Sequence, residues 1–250
     1  GQATMLNSLG MFAYFRGRWN EALELYGQAQ ERARRVGNLV QLAFYENNVA
    51  EIALDQGRIE EAEHLFESVS RTWRAAGYRS GAAYVSCNLG RCAAESGRFD
   101  EAMQRFQEAQ REEELLGSHA DLVEIGARWA ETELLAGNIE AALTRAEAEI
   151  ERARSMGGGH QMSFLHRVRA VALARSGELD AARRALQQSL EAARARQMDF
   201  EVALTLKVVA ELGIDCGGEG PAAAAESRRI LETLGVRSSP DLLGMATARG

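Results

Sequence analysis

The residues whose chemistry suits molecular recognition are four asparagines, three aromatic residues and three arginines that recur along the chain. An asparagine amide both donates and accepts hydrogen bonds, so it can pair with the backbone of a bound peptide whatever its sequence. Aromatic rings can accept apolar side chains, and a guanidinium group can bind a carboxylate. The candidate peptide- or partner-binding residues are Asn7, Phe44, Asn47, Asn48, Tyr84, Asn88, Arg91, Arg128, Phe164 and Arg167.

Residue types that serve in catalysis and metal binding are present, but they lack the spacing that those functions require. The glycine run at 157–159 is not followed by the G-K-[ST] signature of a phosphate-binding loop, so it favours a turn. The glutamates at 112–114 are neighbours in sequence, and no predicted pocket would separate their pKa values. The histidines form no H-E-x-x-H motif and no set with cysteine at ligand spacing: His64, His119, His160 and His166. We therefore expect no catalytic residue, metal site or cofactor, and no enzymatic activity.

Composition narrows the class of partner. The chain has 29 basic and 36 acidic residues, a net charge of −7, whereas phosphate binding needs a concentrated basic surface. It has no run of about 18 apolar residues that would predict a membrane span, and no signal-like segment at its N-terminus. Cys87, Cys92 and Cys216 form no C-x-x-C pair, which is typical of reduced thiols. We expect a cytoplasmic protein with a protein or peptide partner, and neither nucleic acid nor membrane.

The elements that must position these residues are indicated by a regular repeat. Six glycines are spaced 40 residues apart, at Gly17, Gly57, Gly97, Gly137, Gly177 and Gly217. An alanine follows each of them by five positions, at Ala22, Ala62, Ala102, Ala142, Ala182 and Ala222. Apolar residues at three- and four-residue spacing predict two amphipathic helices per repeat, with the glycine ending the first. The sequence therefore predicts an all-α array of helix pairs.

The repeat resembles the tetratricopeptide family, whose units have a small residue, a glycine seven positions on, an alanine five further and an aromatic four beyond. Tyr26, Phe66 and Phe106 supply that aromatic residue in the first three units. The unit of 40 residues exceeds the family's usual 34. In this respect the array is similar to those near the C-terminal end of large bacterial signalling ATPases, adenylate or guanylate cyclases and transcription regulators. The resemblance implies a right-handed superhelical solenoid of six antiparallel helix-turn-helix repeats. We expect one domain over residues 1–235 and a C-terminal tail over 236–250.

In this family the first helix of each unit lines a concave groove, which accepts a peptide or a partner helix. We assign to that lining a stripe at 13, 10, 6 and 3 residues before each hairpin glycine, and Asn48, Asn88 and Arg128 lie one column further round. The ten candidate residues belong to these columns. An alternative stays open, in which the asparagines satisfy neighbouring helices and the arginines pair with Glu51, Glu124 and Glu131.

A second glycine series closes the second helix of each pair. Its members are Gly37, Gly77, Gly117 and Gly157. Gln197 interrupts this series, and we expect the fifth exit turn to use another geometry.

The two ends of the array lead to further expectations. Met5 and Phe12 occupy columns that contact the preceding unit elsewhere, so this uncapped end suggests a fragment of a longer protein or a homo-oligomer contact. At the other end, Leu242, Leu243 and Met245 are candidates to dock in a neighbour's groove.

Two functions are consistent with these observations. The first is a protein–protein interaction scaffold that binds a peptide or partner helix in the concave groove. The second is a regulatory or sensor segment of a multidomain bacterial ATPase-linked cyclase or transcription regulator.

Overall fold

The computed structural model describes residues 1–216 and 220–244, with the side chains of Gly220 and Pro221 left out. Within these ranges the chain forms twelve α-helices and no strand, which confirms the predicted all-α class. Gly217 and Met245 lie outside the described residues. The helices are α1 (Gln2–Phe15), α2 (Trp19–Arg35), α3 (Leu39–Asp55), α4 (Ile59–Ala75), α5 (Arg79–Glu95), α6 (Phe99–Leu116), α7 (His119–Leu135), α8 (Ile139–Ser155), α9 (Gln161–Arg175), α10 (Leu179–Ala195), α11 (Asp199–Leu212) and α12 (Gly220–Thr233).

The described chain forms two compact units, and within each unit consecutive helices pack against each other. Unit 1 comprises Gly1–Ser118 with Val236–Ser239. Unit 2 comprises His119–Gly235 and the chain from Pro240. In unit 1 the first helices of successive pairs also touch, α1 with α3 and α3 with α5, and in unit 2 α9 touches both α7 and α11. Each unit is therefore a stack of helix pairs whose first helices are neighbours.

The hairpin glycines of the first five pairs all adopt the left-handed conformation that ends a helix. Their φ angles are 70° at Gly17, 75° at Gly57 and Gly97, 88° at Gly137 and 87° at Gly177. The residue after each glycine closes the turn on the helix, as when the Arg58 amide donates to the Ala53 carbonyl at 2.9 Å. The predicted positions of these turns are thereby confirmed.

The expectation of another geometry at Gln197 is wrong. Gln197 has a φ of 56°, in the same left-handed region as the glycines of its series. The Met198 amide donates to the Ala193 carbonyl at 3.0 Å, as the Tyr78 amide donates to the Trp73 carbonyl at 2.9 Å in the glycine-containing turn. A non-glycine residue costs about 1–2 kcal/mol in this conformation, a cost that the surrounding helix contacts can offset.

Small residues explain why the helices of a pair approach closely. A β-carbon added to Gly10 would lie 2.5 Å from the Tyr26 ring, and one added to Gly90 would lie 2.7 Å from the Phe106 ring. The alanine column is fully buried in five pairs, at Ala22, Ala62, Ala102, Ala142 and Ala182. The sixth pair departs from this column, because Ala222 is exposed and its neighbour Ala223 is buried instead.

The two ends of the chain differ in what covers them. Met5 and Phe12 are 60% and 51% exposed on α1. The segment after α12 packs against other parts of the same chain. In unit 1 the Arg237 amide donates to the Gln56 carbonyl at 2.9 Å. In unit 2 the side chain of Leu242 is only 6% exposed. No helix within the described ranges is long and apolar enough to cross a membrane.

Candidate functional site

The first helices of each unit share one surface, which we call the first-helix face. In unit 1 its residues come from α1, α3 and α5 and are Asn7, Tyr14, Asn47, Asn48, Glu51, Asp55, Tyr84, Asn88 and Arg91. In unit 2 they come from α7, α9 and α11 and are Arg128, Glu131, Phe164, Arg167, Leu204, Lys207 and Glu211. Most of the predicted site residues lie on this face.

In unit 1 the asparagines join successive first helices. Asn48 on α3 donates from Nδ2 to Oδ1 of Asn7 on α1 at 2.7 Å, and both side chains are half-buried. Asn88 on α5 donates to Oδ1 of Asn47 on α3 at 3.3 Å, and both of these are buried. The pairs repeat because Asn7 and Asn47 share one position of the repeat and Asn48 and Asn88 share the next, so the same two amides of adjacent helices come within reach of each other.

Glu51 is the acceptor at the centre of this arrangement. Its Oε1 accepts from Asn47 Nδ2 at 2.9 Å, from the Tyr84 hydroxyl at 2.8 Å and from Asn88 Nδ2 at 3.1 Å. Burial raises the pKa of Glu51 above its ordinary value, although the charge of Arg91 and the three hydrogen bonds oppose that rise. The alternative that the sequence left open also named Glu51, but as the partner of an arginine.

Arg91 pairs with an aspartate that the sequence analysis did not single out. Its Nη2 lies 2.7 Å from Oδ1 of Asp55, and its Nη1 donates to Asn88 Oδ1 at 3.3 Å. The other Asp55 oxygen accepts from the Tyr14 hydroxyl at 2.5 Å. Burial raises the pKa of Tyr14 well above its ordinary value, and the nearby charges of Asp55 and Glu51 raise it further. Tyr14 therefore acts as a neutral donor that links α1 to the ion pair.

A signal for Asp55 existed in the sequence. It lies two positions before its hairpin glycine, and the same column carries a charged residue in three other units: Glu95, Arg175 and Asp215. This column lies four positions after the Glu51 column of the assigned stripe, so it belongs to the same side of the helix.

Phe44 is not part of the row of hydrogen-bonded asparagines formed by Asn7, Asn47, Asn48 and Asn88. Its ring centroid lies 4.9 Å from that of Trp73 and 5.4 Å from that of Tyr78, and Trp73 and Tyr78 also contact each other at 5.6 Å. Trp73 and Tyr78 line a cavity of about 270 Å³ with Ala83 and Ser86. Phe44 thus belongs to an aromatic cluster beside the α4–α5 turn.

In unit 2 the predicted arginines are held by carboxylates and by one ring. Arg128 Nε lies 2.8 Å from Glu124 and its Nη1 lies 3.8 Å from Glu131, as the alternative expected. Arg167 is 1% exposed and pairs with Glu201 on α11 at 2.5 Å. The ring of Phe164, only 4% exposed, has the Arg128 guanidinium 4.3 Å from its centroid and that of Arg167 at 5.2 Å.

The first-helix face of unit 2 is also where the C-terminal segment lies. Pro240 and Leu242 line one pocket together with residues from α7, α9 and α11, namely Glu131, Arg167, Leu204, Lys207, Val208 and Glu211. Five of these helix residues belong to the stripe assigned from the hairpin glycines: Glu131, Arg167, Leu204, Lys207 and Glu211. The structure thus brings these stripe positions together.

In the described part of the chain, no group of three or more histidine, cysteine, aspartate or glutamate side chains is placed to bind a metal ion. The three cysteines are buried, and none of them forms a disulfide. Burial is the main cause that raises the pKa of Cys92 to about 12, so its thiol stays protonated at neutral pH.

Comparison with known proteins agrees with this architecture. The tetratricopeptide repeat model matches residues 1–67 and 41–111, which confirms the resemblance inferred from the glycine, alanine and aromatic columns. No curated protein matches the sequence.

Solved structures of other proteins share the fold, and three of them illustrate the range. A Rap protein complexed with competence and sporulation factor has a TM-score of 0.75 at 12% identity, covering 99% of this chain and 66% of that one. Aspartyl phosphate phosphatase F from Bacillus subtilis has a TM-score of 0.64 at 15% identity, covering 96% of this chain and 62% of that one. Kinesin light chain repeats from Podospora anserina have a TM-score of 0.50 at 18% identity, covering 78% and 94%. This chain therefore spans less than two thirds of the first two proteins, and identities this low show the fold alone.

Proposed function

Because this chain is a tetratricopeptide-like repeat protein, we propose that it is an interaction scaffold whose first-helix face binds an extended peptide or a partner helix. The fold supports a protein–protein interaction scaffold, since stacked helix pairs present a long continuous surface instead of a central core. The proposal for this chain is the location of the binding surface and the class of its ligand.

The observation that carries the proposal is the row of amides, hydroxyls and charges across α1, α3 and α5. Asn48 uses one of its two N–H donors on Asn7, and an amide of this kind retains capacity for a further partner. Asn7, Asn48 and Tyr84 are half-buried, so their outer atoms can meet a ligand while their inner contacts persist. Asn47, Asn88 and Arg91 are buried, and we assign them the role of holding this row in place.

One of the similar structures was determined with a bound factor, which is consistent with a ligand-binding role. It is a Rap protein in complex with competence and sporulation factor. What that protein binds is its own property, and for this chain we propose only the class: a protein or peptide that lies along the first helices.

A second proposal is that the array is a regulatory or sensor segment of a longer bacterial protein. The likeness to longer proteins, of which it spans 66% and 62%, supports it. The gene sequence upstream of this segment tests the idea. A nucleotide-binding loop or a cyclase domain there is the expected result, and a stop codon directly upstream of the array would contradict it.

Selection from a displayed random peptide library on the purified chain tests the first proposal. A selected peptide, labelled with fluorescein, is then titrated with wild-type protein and with the double variant Asn7→Ala, Asn48→Ala. These residues pair with each other, so removing both leaves no partner unsatisfied. We expect affinity to fall about 5- to 30-fold, which corresponds to one or two lost hydrogen bonds.

The matched control is Asn20→Ala, an exposed asparagine on α2, a second helix. It should leave the affinity unchanged. Equal affinity of the double variant and the wild type would place the binding surface elsewhere.

A further inference from the structure

The segment that follows α12 lies where a bound peptide would lie on unit 2. Residues 236–241 have no regular secondary structure, and the chain around Leu242 makes a turn. Pro240 and Leu242 line one pocket together with residues from three successive first helices, α7, α9 and α11. A peptide that crosses the first helices of a repeat array would meet the same set of side chains.

Leu242 is the anchor of this contact. Its side chain is 6% exposed, and the space left beside it amounts to about 20 Å³, room for roughly one water molecule. Arg175 donates from Nη1 to the Leu242 carbonyl at 3.4 Å and to the Leu134 carbonyl at 2.8 Å. The face therefore holds both an apolar side chain and a main-chain acceptor, which are the two features that a peptide-binding surface reads in any extended ligand.

Charged groups of unit 2 surround the residue between Pro240 and Leu242. Asp241 lies near Glu211, which also forms an ion pair with Lys207 at 3.9 Å, and Glu131 and Arg167 line the same pocket. Burial raises the pKa of Glu211, Lys207 opposes that rise, and the negative charge of Asp241 adds to it. The segment thus places a well-buried leucine beside charged side chains of this face.

The preceding residues of the segment have a separate contact in unit 1. The Arg237 amide donates to the Gln56 carbonyl at 2.9 Å. Ser238 lies so close to Gly57 that an added β-carbon would be 2.2 Å from the serine hydroxyl and 2.8 Å from its amide nitrogen. Gly57 therefore permits this approach both through its left-handed φ and through its missing side chain.

We propose that residues 240–242 are an internal ligand of the first-helix face of unit 2, and that a partner peptide binds there only after this segment leaves. The ligand class is an extended peptide with a buried leucine whose carbonyl is bound by Arg175. This inference rests on the proposed function, because it takes the first-helix face as the binding surface.

The test uses a fluorescein-labelled peptide of residues 236–244 and the full chain. In the wild type the attached segment competes at high effective concentration, so binding of the added peptide should be weak. In Leu242→Asp the attached segment loses its anchor, and we expect the added peptide to bind at least about tenfold more tightly. A labelled peptide that carries the same substitution should bind neither protein. The control Leu179→Asp changes a leucine on α10 that is already 53% exposed, and it should behave like the wild type.

A second pair of variants keeps the test decisive if Leu242→Asp folds poorly. Gly57 and Gly97 are both hairpin glycines with a φ of 75°, but only Gly57 has the segment against it, since a β-carbon on Gly97 meets nothing within 4 Å. Both alanine variants carry the same backbone strain. Gly57→Ala should also displace Ser238, two residues from Pro240, and thereby raise the affinity for the added peptide above that of Gly97→Ala.

Equal binding of the added peptide by wild type, Leu242→Asp and Gly57→Ala, with all three folded by circular dichroism, would overturn the inference. A wild-type dimer that dissociates on Leu242→Asp substitution would also overturn it, because the segment would then occupy a second copy. The outcome is independent of the display experiment, which depends on Asn7 and Asn48 in unit 1. If one of the two experiments gives its expected result and the other does not, the proposal tested by the second experiment is the one that fails.

Discussion

The first-helix faces of the two units have the same 40-residue spacing, but their side chains have different partners. In unit 1, side chains of α1, α3 and α5 bond one another through Glu51 and Asp55. In unit 2, the arginines are paired within the unit and the C-terminal segment covers part of the same surface. The difference shows that a repeat fixes where a surface lies, whereas the residues placed on it decide what occupies it.

The contrast also separates structural from recognition roles. Buried pairs such as Arg91 with Asp55 stabilise the stack and are poor ligands for a partner, because a partner would have to displace them. We propose that half-buried groups such as Asn48, and the segment that carries the buried Leu242, can exchange with a ligand. The variants below test this division, beginning with the largest effect.

Removing Arg91 should give the largest effect. Its side chain and that of Asp55 are 9% and 5% exposed, so Arg91→Ala leaves a carboxylate buried without its charge partner. We expect a loss of about 3–5 kcal/mol in the local stability of α3 and α5, measured by native-state hydrogen exchange. The control is Arg98→Ala, whose bonds to Glu63 and Glu101 are largely exposed, with an expected loss below about 1 kcal/mol. Similar losses in the two variants would contradict the division.

Acid should weaken unit 2 through His166, whereas the histidine of unit 1, His64, is exposed. Burial, followed by the charges of Arg154 and Arg169, lowers the pKa of His166 from 6.5 to about 4. Between these values the unfolded chain binds more protons than the folded one, so the contribution of His166 to stability falls as the pH falls.

From pH 7 to pH 5 we expect this contribution to drop by about 2 kcal/mol. The measurement is the free energy of urea unfolding at both pH values for wild type and for His166→Leu. The wild-type value minus the His166→Leu value should be lower at pH 5 than at pH 7 by that amount. An unchanged difference would show that the histidine is protonated in the folded state.

Overpacking the alanine column tests whether the two units share one helix-pair packing. Ala102 in unit 1 and Ala142 in unit 2 are both fully buried, so either change to leucine should cost about 1–3 kcal/mol. Ala148→Leu changes an exposed alanine on α8 and should be nearly silent. Thermal melts of the three variants provide the comparison, and indifference of the melting temperature to Ala102→Leu would refute the close contact.

The exit turns should show the smallest effect. Gln197→Gly in unit 2 should stabilise by about 0.5–1 kcal/mol, because glycine relieves the left-handed strain but gains freedom in the unfolded chain. Gly77→Ala in unit 1 should destabilise by about 1–2 kcal/mol, since its φ is 68° and nothing else opposes the added carbon. Chemical denaturation measures both, and a destabilised Gln197→Gly would mean that the glutamine side chain stabilises this turn.

The fold was predictable because glycines with positive φ and fully buried alanines recur at positions that the sequence displays directly, such as Gly57 and Ala62. The stripe assignment placed Glu131, Lys207 and Glu211 on one surface for the same reason. Side-chain partners were less accessible to sequence reasoning. Phe44 packs against Trp73, a residue of α4 that the first-helix columns do not include, and Gln197 has the glycine geometry because the turn's hydrogen bonds need no glycine.

The C-terminal segment illustrates the limit most clearly. We expected Leu242 to dock in a neighbour's groove, whereas it is buried in unit 2 of its own chain, because a sequence without a repeat at that point gives no register from which to assign its binding surface. Only the coordinates place it against α7, α9 and α11 of unit 2.

The central claim is that the first helices form the binding surface. Hydrogen–deuterium exchange of the chain with and without a library-selected peptide tests it most directly, with the Leu242→Asp variant used so that unit 2 is open. We predict slower exchange in α1, α3 and α5, or in α7, α9 and α11, with the second helices unchanged. Protection confined to the second helices, α2, α4, α6, α8, α10 and α12, would contradict the claim.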